Sequence, residues 1–172
     1  MAGLIHLYCG EGKGKSTAAA GLALRAAGAG KRVVYAQFFK DGSSSEISVL
    51  RTLSGVTVCV SSTHFGLFRR MTEEKKAEAA AAYRALFTRA TELASGAGLL
   101  VLDEAVSACN HGILEEEKVL AFLREKPEEL EVVLTGRNPS QALLERADYI
   151  TEMVKRRHPF DRGIPARKGI EF

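Results

Sequence analysis

The sequence predicts an α/β fold, a mostly parallel sheet with helices on both faces. Three observations carry this expectation. Short apolar runs alternate along the chain with longer, helix-patterned segments. The first run passes straight into a glycine- and lysine-rich loop and then into an alanine-rich helix. A later run, Leu99 to Leu102, ends on two acids, Asp103 and Glu104.

Taken in order, Leu4 to Tyr8 reads as a short strand ending at the loop. Lys15 to Ala27 is a predicted helix with alanine or leucine on nearly every side, so it should be largely buried. Gly28 and Gly30 end it, and Val33 to Phe39 is a second strand apolar enough to be covered on both faces. Gly42 to Ser45 is a loop, Glu46 to Leu53 a short helix or irregular segment, and Val56 to Val60 a third strand. Thr72 caps a long helix to about Ser95, with Glu73 and Glu74 suited to its first turn and Gly96 to its end. Leu99 to Leu102 is a strand, and Leu114 to Lys126 a helix stopped by Pro127. Glu131 to Thr135 is the next strand. Asn138-Pro139 reads as an N-cap followed by proline at the first helical position, opening a helix through Glu145. Tyr149 to Val154 is the last strand.

The chain has 172 residues, 46% apolar and 26% charged, which suits one globular domain with a sizeable core. Residues 1–172 are therefore expected to form a single domain, with 155–172 an irregular basic C-terminal segment. That segment carries Lys155, Arg156, Arg157, Arg162, Arg167 and Lys168 against Asp161 and Glu171. It is either solvated surface or a complement to a polyphosphate or other anion. The net charge of +3 is too small to argue for nucleic acid. Cys9, Cys59 and Cys109 have neither metal-ligand spacing nor a disulfide pattern. With no secretory signal and no membrane-length apolar run, a cytoplasmic location without membrane association is expected.

Residues 9–17 read Cys-Gly-Glu-Gly-Lys-Gly-Lys-Ser-Thr. Gly10, Gly12 and Gly14 would let backbone amides converge on an anion, assisted by the dipole of the following helix. Lys15 would reach a phosphate, and the Ser16 hydroxyl would bind the accompanying Mg²⁺. Cys9 stands where the general phosphate-loop pattern has glycine, and Lys13 is an extra lysine. The competing reading is a flexible glycine turn with surface lysines. At the end of the later strand, Asp103 and Glu104 could hold Mg²⁺ near Ser16, or merely cap a helix. In a parallel sheet, ligands sit beyond the carboxyl ends of the strands. The loop, Asp103-Glu104 and Thr135-Gly136-Arg137 should therefore line one crevice. No Ser, His and Asp arrangement supplies a nucleophile; His6 lies in the first strand, and His64, His111 and His158 are dispersed.

The chain resembles the ATP:corrinoid adenosyltransferases of the CobA type over nearly its whole length. Gly10 to Thr17 matches the family's Gly-Asn-Gly-Lys-Gly-Lys-Thr-Thr, and Gly30-Lys31-Arg32-Val33 through Gln37-Phe38 its second strand. Val101 to Glu104 and Val132 to Asn138 match two later strand ends. The most specific match is the tail: Ala147-Asp148, Thr151 to Met153, His158 to Asp161, Gly163-Ile164 and Ala166 to Ile170. The resemblance implies a P-loop NTPase (RecA-like) architecture and a role in cobalamin biosynthesis. It further implies transfer of the 5′-deoxyadenosyl group of ATP to the Co(I) of a reduced corrinoid, with release of triphosphate. A substrate nucleophile fits the missing protein nucleophile. By the same resemblance, Gly10, Glu11, Gly12, Lys13, Gly14, Lys15, Ser16 and Thr17 would bind ATP. Mg²⁺ or Mn²⁺ would be held by Ser16, Asp103 and Glu104. An electron donor such as a flavodoxin or flavin reductase and a homodimer are implied as well. Arg25 stands where the family has a nucleotide-contacting arginine; the alternative is a helix-surface arginine.

Two departures stand out. Glu11 replaces the family asparagine, setting a carboxylate near phosphates unless it points away or meets a cation. After the third strand the family often has Gly-Phe-Thr-Trp, aromatics that strip the lower axial ligand of the corrinoid. This chain has His64-Phe65-Gly66-Leu67-Phe68. Phe65 would keep its role, Leu67 stands in place of tryptophan, and Phe68 is a candidate substitute; the alternative is ordinary packing. Outside the family, a small P-loop kinase or ATPase and a nucleotide-switched binding module are the competing functions.

Overall fold

The computed structural model describes residues 2–40, 42–61, 63, 65 and 71–172. Among them, six strands form one sheet: β1 (Ile5–Cys9), β2 (Val33–Gln37), β3 (Val56–Val60), β4 (Leu99–Asp103), β5 (Glu131–Thr135) and β6 (Tyr149–Glu152). The spatial order is β3-β2-β4-β5-β1-β6, and every neighbouring pair runs parallel. The helices are α1 (Lys15–Gly28), α2 (Ser45–Leu50), α3 (Glu73–Leu93), α4 (Ala105–Asn110), α5 (Glu116–Glu125) and α6 (Gln141–Arg146). A parallel sheet with the glycine-lysine loop between β1 and α1 is a P-loop NTPase-like fold, as expected.

Side chains alternate across the strands with the period of two that pleated backbone imposes. Val34, Ala36, Leu100, Leu102, Val132 and Leu134 face one core, closed by Tyr83 and Leu86 of α3, Val106 of α4 and Leu123 of α5. Val33, Tyr35, Leu99, Val101 and Val133 face the other, under Ala19 and Ala23 of α1 and Ile47 and Leu50 of α2. β2 and β4 are buried at every residue, as strands covered on both faces must be. β6 is the opposite case, an edge strand exposed at every residue.

Three expectations are corrected. The first helix is not largely buried: only Lys15, Ala19 and Ala23 are, a stripe at four-residue spacing, and Leu24 is 54% exposed. The other alanines are half-buried, Ala20, Ala26 and Ala27 packing beside the stripe, and the exposed positions are Thr17, Gly21, Leu24, Arg25 and Gly28. The last helix is capped by Ser140, whose side chain accepts from Leu143 N, and Asn138 instead takes a left-handed turn at φ 48°. The last strand stops at Glu152; Met153 N still donates to Cys9 O at the end of β1, but Met153 O accepts from Gly12 N in the loop. α4 was not anticipated. His6 is a packed residue, 2.6 Å from the Glu131 carboxylate through Nε2 and stacked on Tyr149.

Among the described residues no helix is long and apolar enough to cross a membrane.

Candidate functional site

The strand order decides what meets at the carboxyl ends. β5 lies between β1, which carries the loop, and β4, which carries the acids. Thr135 at the end of β5 therefore stands between loop and acids, paired in register with Tyr8. Its Oγ1 donates to Asp103 Oδ1 at 2.7 Å and accepts from Glu104 N at 2.8 Å. Gln37, at the end of β2 and in register with Asp103, donates through Nε2 to Asp103 Oδ2 at 3.1 Å. Asp103 is completely buried. A carboxylate there is tolerable because each oxygen accepts from a neighbouring strand and a cation stands close by. That cation is Lys40, whose Nζ lies 3.5 Å from Asp103 Oδ2 and 3.5 Å from Ser16 Oγ.

Glu104 sits in the left-handed region at φ 64°, a conformation uncommon for a residue with a side chain. It is held there from two sides, by the Thr135 hydroxyl at its amide and by Ser107 Oγ, which donates to Oε2 at 2.6 Å. Strain held this way recurs at functional positions. The kink ends β4, starts α4 and leaves Glu104 lining the cleft.

The loop is shaped from two directions. Gly14 turns the chain into α1 at φ 120°, with open space where a Cβ would stand. Gly10 and Gly12 are needed for a different reason: a Cβ on either would lie 2.6 Å from Met153 O. Gly12 N donates to that same oxygen at 2.6 Å, so its amide is committed to the segment after β6. Lys15 is 7% exposed, and its Nζ donates to Gly10 O at 2.7 Å and Gly12 O at 2.8 Å. Burial, with the nearby Arg137 guanidinium, lowers the Lys15 pKa below the ordinary lysine value; Glu104 and Glu11 act against the fall. Glu11 meets a cation after all, its carboxylate 3.1 Å from Arg137 Nη1. Both side chains are half exposed, so the pair contributes little to stability; what it does is set Arg137 at the cleft.

These residues line a cleft of about 480 Å³, within the range of small-molecule sites. Glu11 to Thr17, Lys40, Glu104 and Arg137 form its walls, together with His158, Ala166, Ile170 and Phe172 of the C-terminal segment. That segment is less irregular than expected: it contains a short 3₁₀ helix, Pro159–Arg162, an Arg167 fork on Glu171, and a bond from Ser45 Oγ to Phe172 O at 3.1 Å. A cavity of about 550 Å³ near Lys31, Gly98 and Leu130 lies at the opposite end of the sheet. Glu128 and Glu129 are among its lining residues, but the glycine-lysine loop is not, and the amino ends of parallel strands are not where ligands bind such sheets.

The structure thus brings Glu11 to Thr17, Asp103 and Glu104 together. Gly10 carries the Lys15 bond from just behind them. Arg25 is exposed in the last turn of α1, about 15 Å along the helix from Lys15 at about 1.5 Å per residue, and does not line the cleft. Phe65 is half-buried against Tyr83, ring centroids 5.7 Å apart. Tyr83 also meets Phe39, which in turn meets His111. Phe39 precedes Lys40 in the chain, while the rings themselves do not line the cleft. His64, Gly66, Leu67 and Phe68 lie outside the described residues. Thr135 and Arg137 stand beside the loop and the acids as their place at a strand end predicts; Lys40, Gln37 and Ser107 are not singled out by the sequence, and position at a strand's carboxyl end was the available signal for the first two.

Metal fit can be judged from the donors. Ser16, Asp103 and Glu104 supply oxygen, the donor type Mg²⁺ prefers. An ammonium already stands between the first two, so the position accepts positive charge. The residues fit the ion.

The family model described as ATP:corrinoid adenosyltransferase BtuR/CobO/CobP matches residues 1–172. A corrinoid adenosyltransferase of Pseudomonas aeruginosa is 38% identical over 173 residues, covering 99% of this chain and 84% of that protein. One from Escherichia coli K12 is 34% identical over 172 residues, covering 99% and 86%. Corrinoid adenosyltransferase CobA of Salmonella typhimurium is 33% identical over 171 residues, with the same two shares. The likeness runs the length of the chain, and the protein belongs to the ATP:corrinoid adenosyltransferase family, enzymes that move the adenosyl group of ATP onto a corrinoid.

Proposed function

We propose that this chain transfers the 5′-deoxyadenosyl group of ATP to the Co(I) centre of a reduced corrinoid and releases inorganic triphosphate. The observation that carries the reading is the cleft itself, where a phosphate loop and its lysine meet the buried Asp103 and the half-buried Glu104. In the transfer, the Co(I) electron pair of the substrate attacks the ribose C5′. The C5′–O bond breaks and its electrons leave on the triphosphate. No protein nucleophile is required, and the protein's work is to hold a polyanion while it departs.

Lys15, Lys13 and Arg137 would counter the triphosphate charge, Lys15 close in and the others from the rim. Ser16, Asp103 and Glu104 would hold Mg²⁺ or Mn²⁺, which supplies further positive charge to the leaving group. Thr135 and Gln37 would fix the Asp103 carboxylate in place, and Ser107 that of Glu104. Arg25, distant from the cleft within one subunit, would contact nucleotide only through a rearrangement or a second copy.

Phe65, backed by Tyr83, would press an apolar ring against the corrinoid and disfavour its lower axial ligand. Replacing Phe65 with alanine should then cost about tenfold in kcat/KM with a corrinoid that carries its lower base, the worth of about one aromatic contact. A base-free corrinoid should lose much less. Equal losses on the two substrates would remove the wedge. Phe68 would share this role with Phe65.

The reduced corrinoid requires an electron donor such as a flavodoxin or flavin reductase. A homodimer is the expected assembly, and the exposed edge strand β6, with Tyr149 and Ile150 half exposed, supports it. The test of the function is anaerobic incubation with ATP, Mg²⁺ and a chemically reduced corrinoid. A light-sensitive Co–C product and one triphosphate per turnover are expected; ADP as the product would overturn the reading in favour of a kinase or ATPase.

A further inference from the structure

Lys40 follows the end of β2 by three residues and turns back into the cleft. Its Nζ is 3.5 Å from both Ser16 Oγ and Asp103 Oδ2, and the side chain is 30% exposed while Asp103 is wholly buried. The other cations of the cleft are placed differently. Lys15 Nζ is taken by two loop carbonyls, and Arg137 is taken by Glu11. Lys40 therefore shares its oxygens with the divalent cation that the same residues fit. An ammonium and a metal ion cannot occupy that position together. The buried Asp103 charge calls for a cation whichever of the two is present.

We propose that Lys40 is an exchangeable cation. In the nucleotide-free protein it holds the metal position between Ser16 and Asp103, and when metal and triphosphate enter it yields that position and pairs with the triphosphate. The proposal rests on the reading of the cleft as a metal and triphosphate site. A lysine suits the role better than an arginine would. Its charge is compact and rides on a flexible four-carbon stem, so a small rotation carries it from carboxylate to phosphate. The exchange keeps Asp103 compensated at every stage and adds one positive charge to the leaving group only after the nucleotide has arrived.

The role has an unusual signature, because removing the ammonium should move two affinities in opposite directions. In Lys40→Met, Mn²⁺ added alone should bind about tenfold more tightly, since its competitor is gone. Inorganic triphosphate added without metal should bind about tenfold more weakly. Lys40→Arg, which keeps the charge, should hold triphosphate within a few-fold of the parent. Titration calorimetry reads the triphosphate affinity and Mn²⁺ electron paramagnetic resonance the metal affinity, with circular dichroism to confirm that each variant is folded. Unchanged affinities in Lys40→Met, or two affinities that fall together as damaged packing would produce, overturn the proposal. A folded parent protein that binds no triphosphate overturns the reading of the cleft, and the role of Lys40 falls with it.

Discussion

Replacing Lys15 with alanine is expected to lower kcat/KM for ATP by about 10²–10³-fold, the usual scale for losing one preorganised charge at a site of developing negative charge. Two things are lost together. One is the buried ammonium facing the triphosphate. The other is the pair of bonds, 2.7 and 2.8 Å, that draws the Gly10 and Gly12 carbonyls inward and keeps the loop in its curve. The variant should keep a cooperative thermal melt, since the loop is also anchored at Met153. Activity within tenfold of the parent would remove Lys15 from the site. The same lysine sets a pH dependence. Its pKa is lowered, chiefly by burial and then by Arg137, and the charged form is the useful one. Triphosphate affinity should therefore decline as pH rises through that depressed pKa, so the alkaline limb begins below the ordinary lysine value of 10.5. Glu11 and Glu104 act in the raising direction. Glu11→Asn should shift the limb further toward neutrality, and an unmoved limb would show that Glu11 does not act on Lys15.

The second large effect is on both stability and chemistry. Asp103→Ala removes the acceptor of Thr135 Oγ1 and Gln37 Nε2 and the counter-charge of Lys40, all around a side chain with no exposure. Breaking a buried, hydrogen-bonded charge constellation on one side costs about 3 kcal/mol or more. For a chain of this size that is a fall of about 6–12 °C in thermal midpoint, at about 2–4 °C per kcal/mol. Asp103→Asn keeps the shape and part of the bonding, so its melt should fall less while transfer still drops by about 10²-fold for want of the metal-facing charge. The pair of variants separates the two roles: an alanine variant that melts with the parent, or an asparagine variant with full activity, would each remove one of them.

Most of the sheet was legible because its signals are local. Runs such as Val33 to Ala36 and Leu99 to Leu102 are apolar at every position, and in the fold they belong to the two strands buried on both faces. The loop was legible for a similar reason, since alternating glycines before Lys15 have few other uses. What was not legible depended on contacts between distant residues. α4 starts from a left-handed Glu104 that only Thr135 and Ser107 make tenable, and no cap residue announces it. Asn138-Pro139 carries the local mark of a helix start, yet Ser140 wins because its hydroxyl reaches Leu143 N while Asn138 is turned left-handed. Lys40 is one lysine among many in the sequence; only the closing of β2 beside β4 brings it over Asp103. Alanine composition alone could not tell the exposed side of α1 from its buried stripe.

The bond between Gly12 and Met153 has a consequence for how the protein is made. The phosphate loop belongs to the first fifteen residues of the chain, but its curve is completed by a carbonyl that follows the final strand. A nascent chain emerging from the ribosome can form the β2–β3 pairing long before it can finish the loop, because contacts between near neighbours close first. β1 must wait for β5 and then β6 to arrive on either side of it. ATP therefore cannot serve as an early template for folding this protein, and nucleotide capture waits until Met153 has joined the fold.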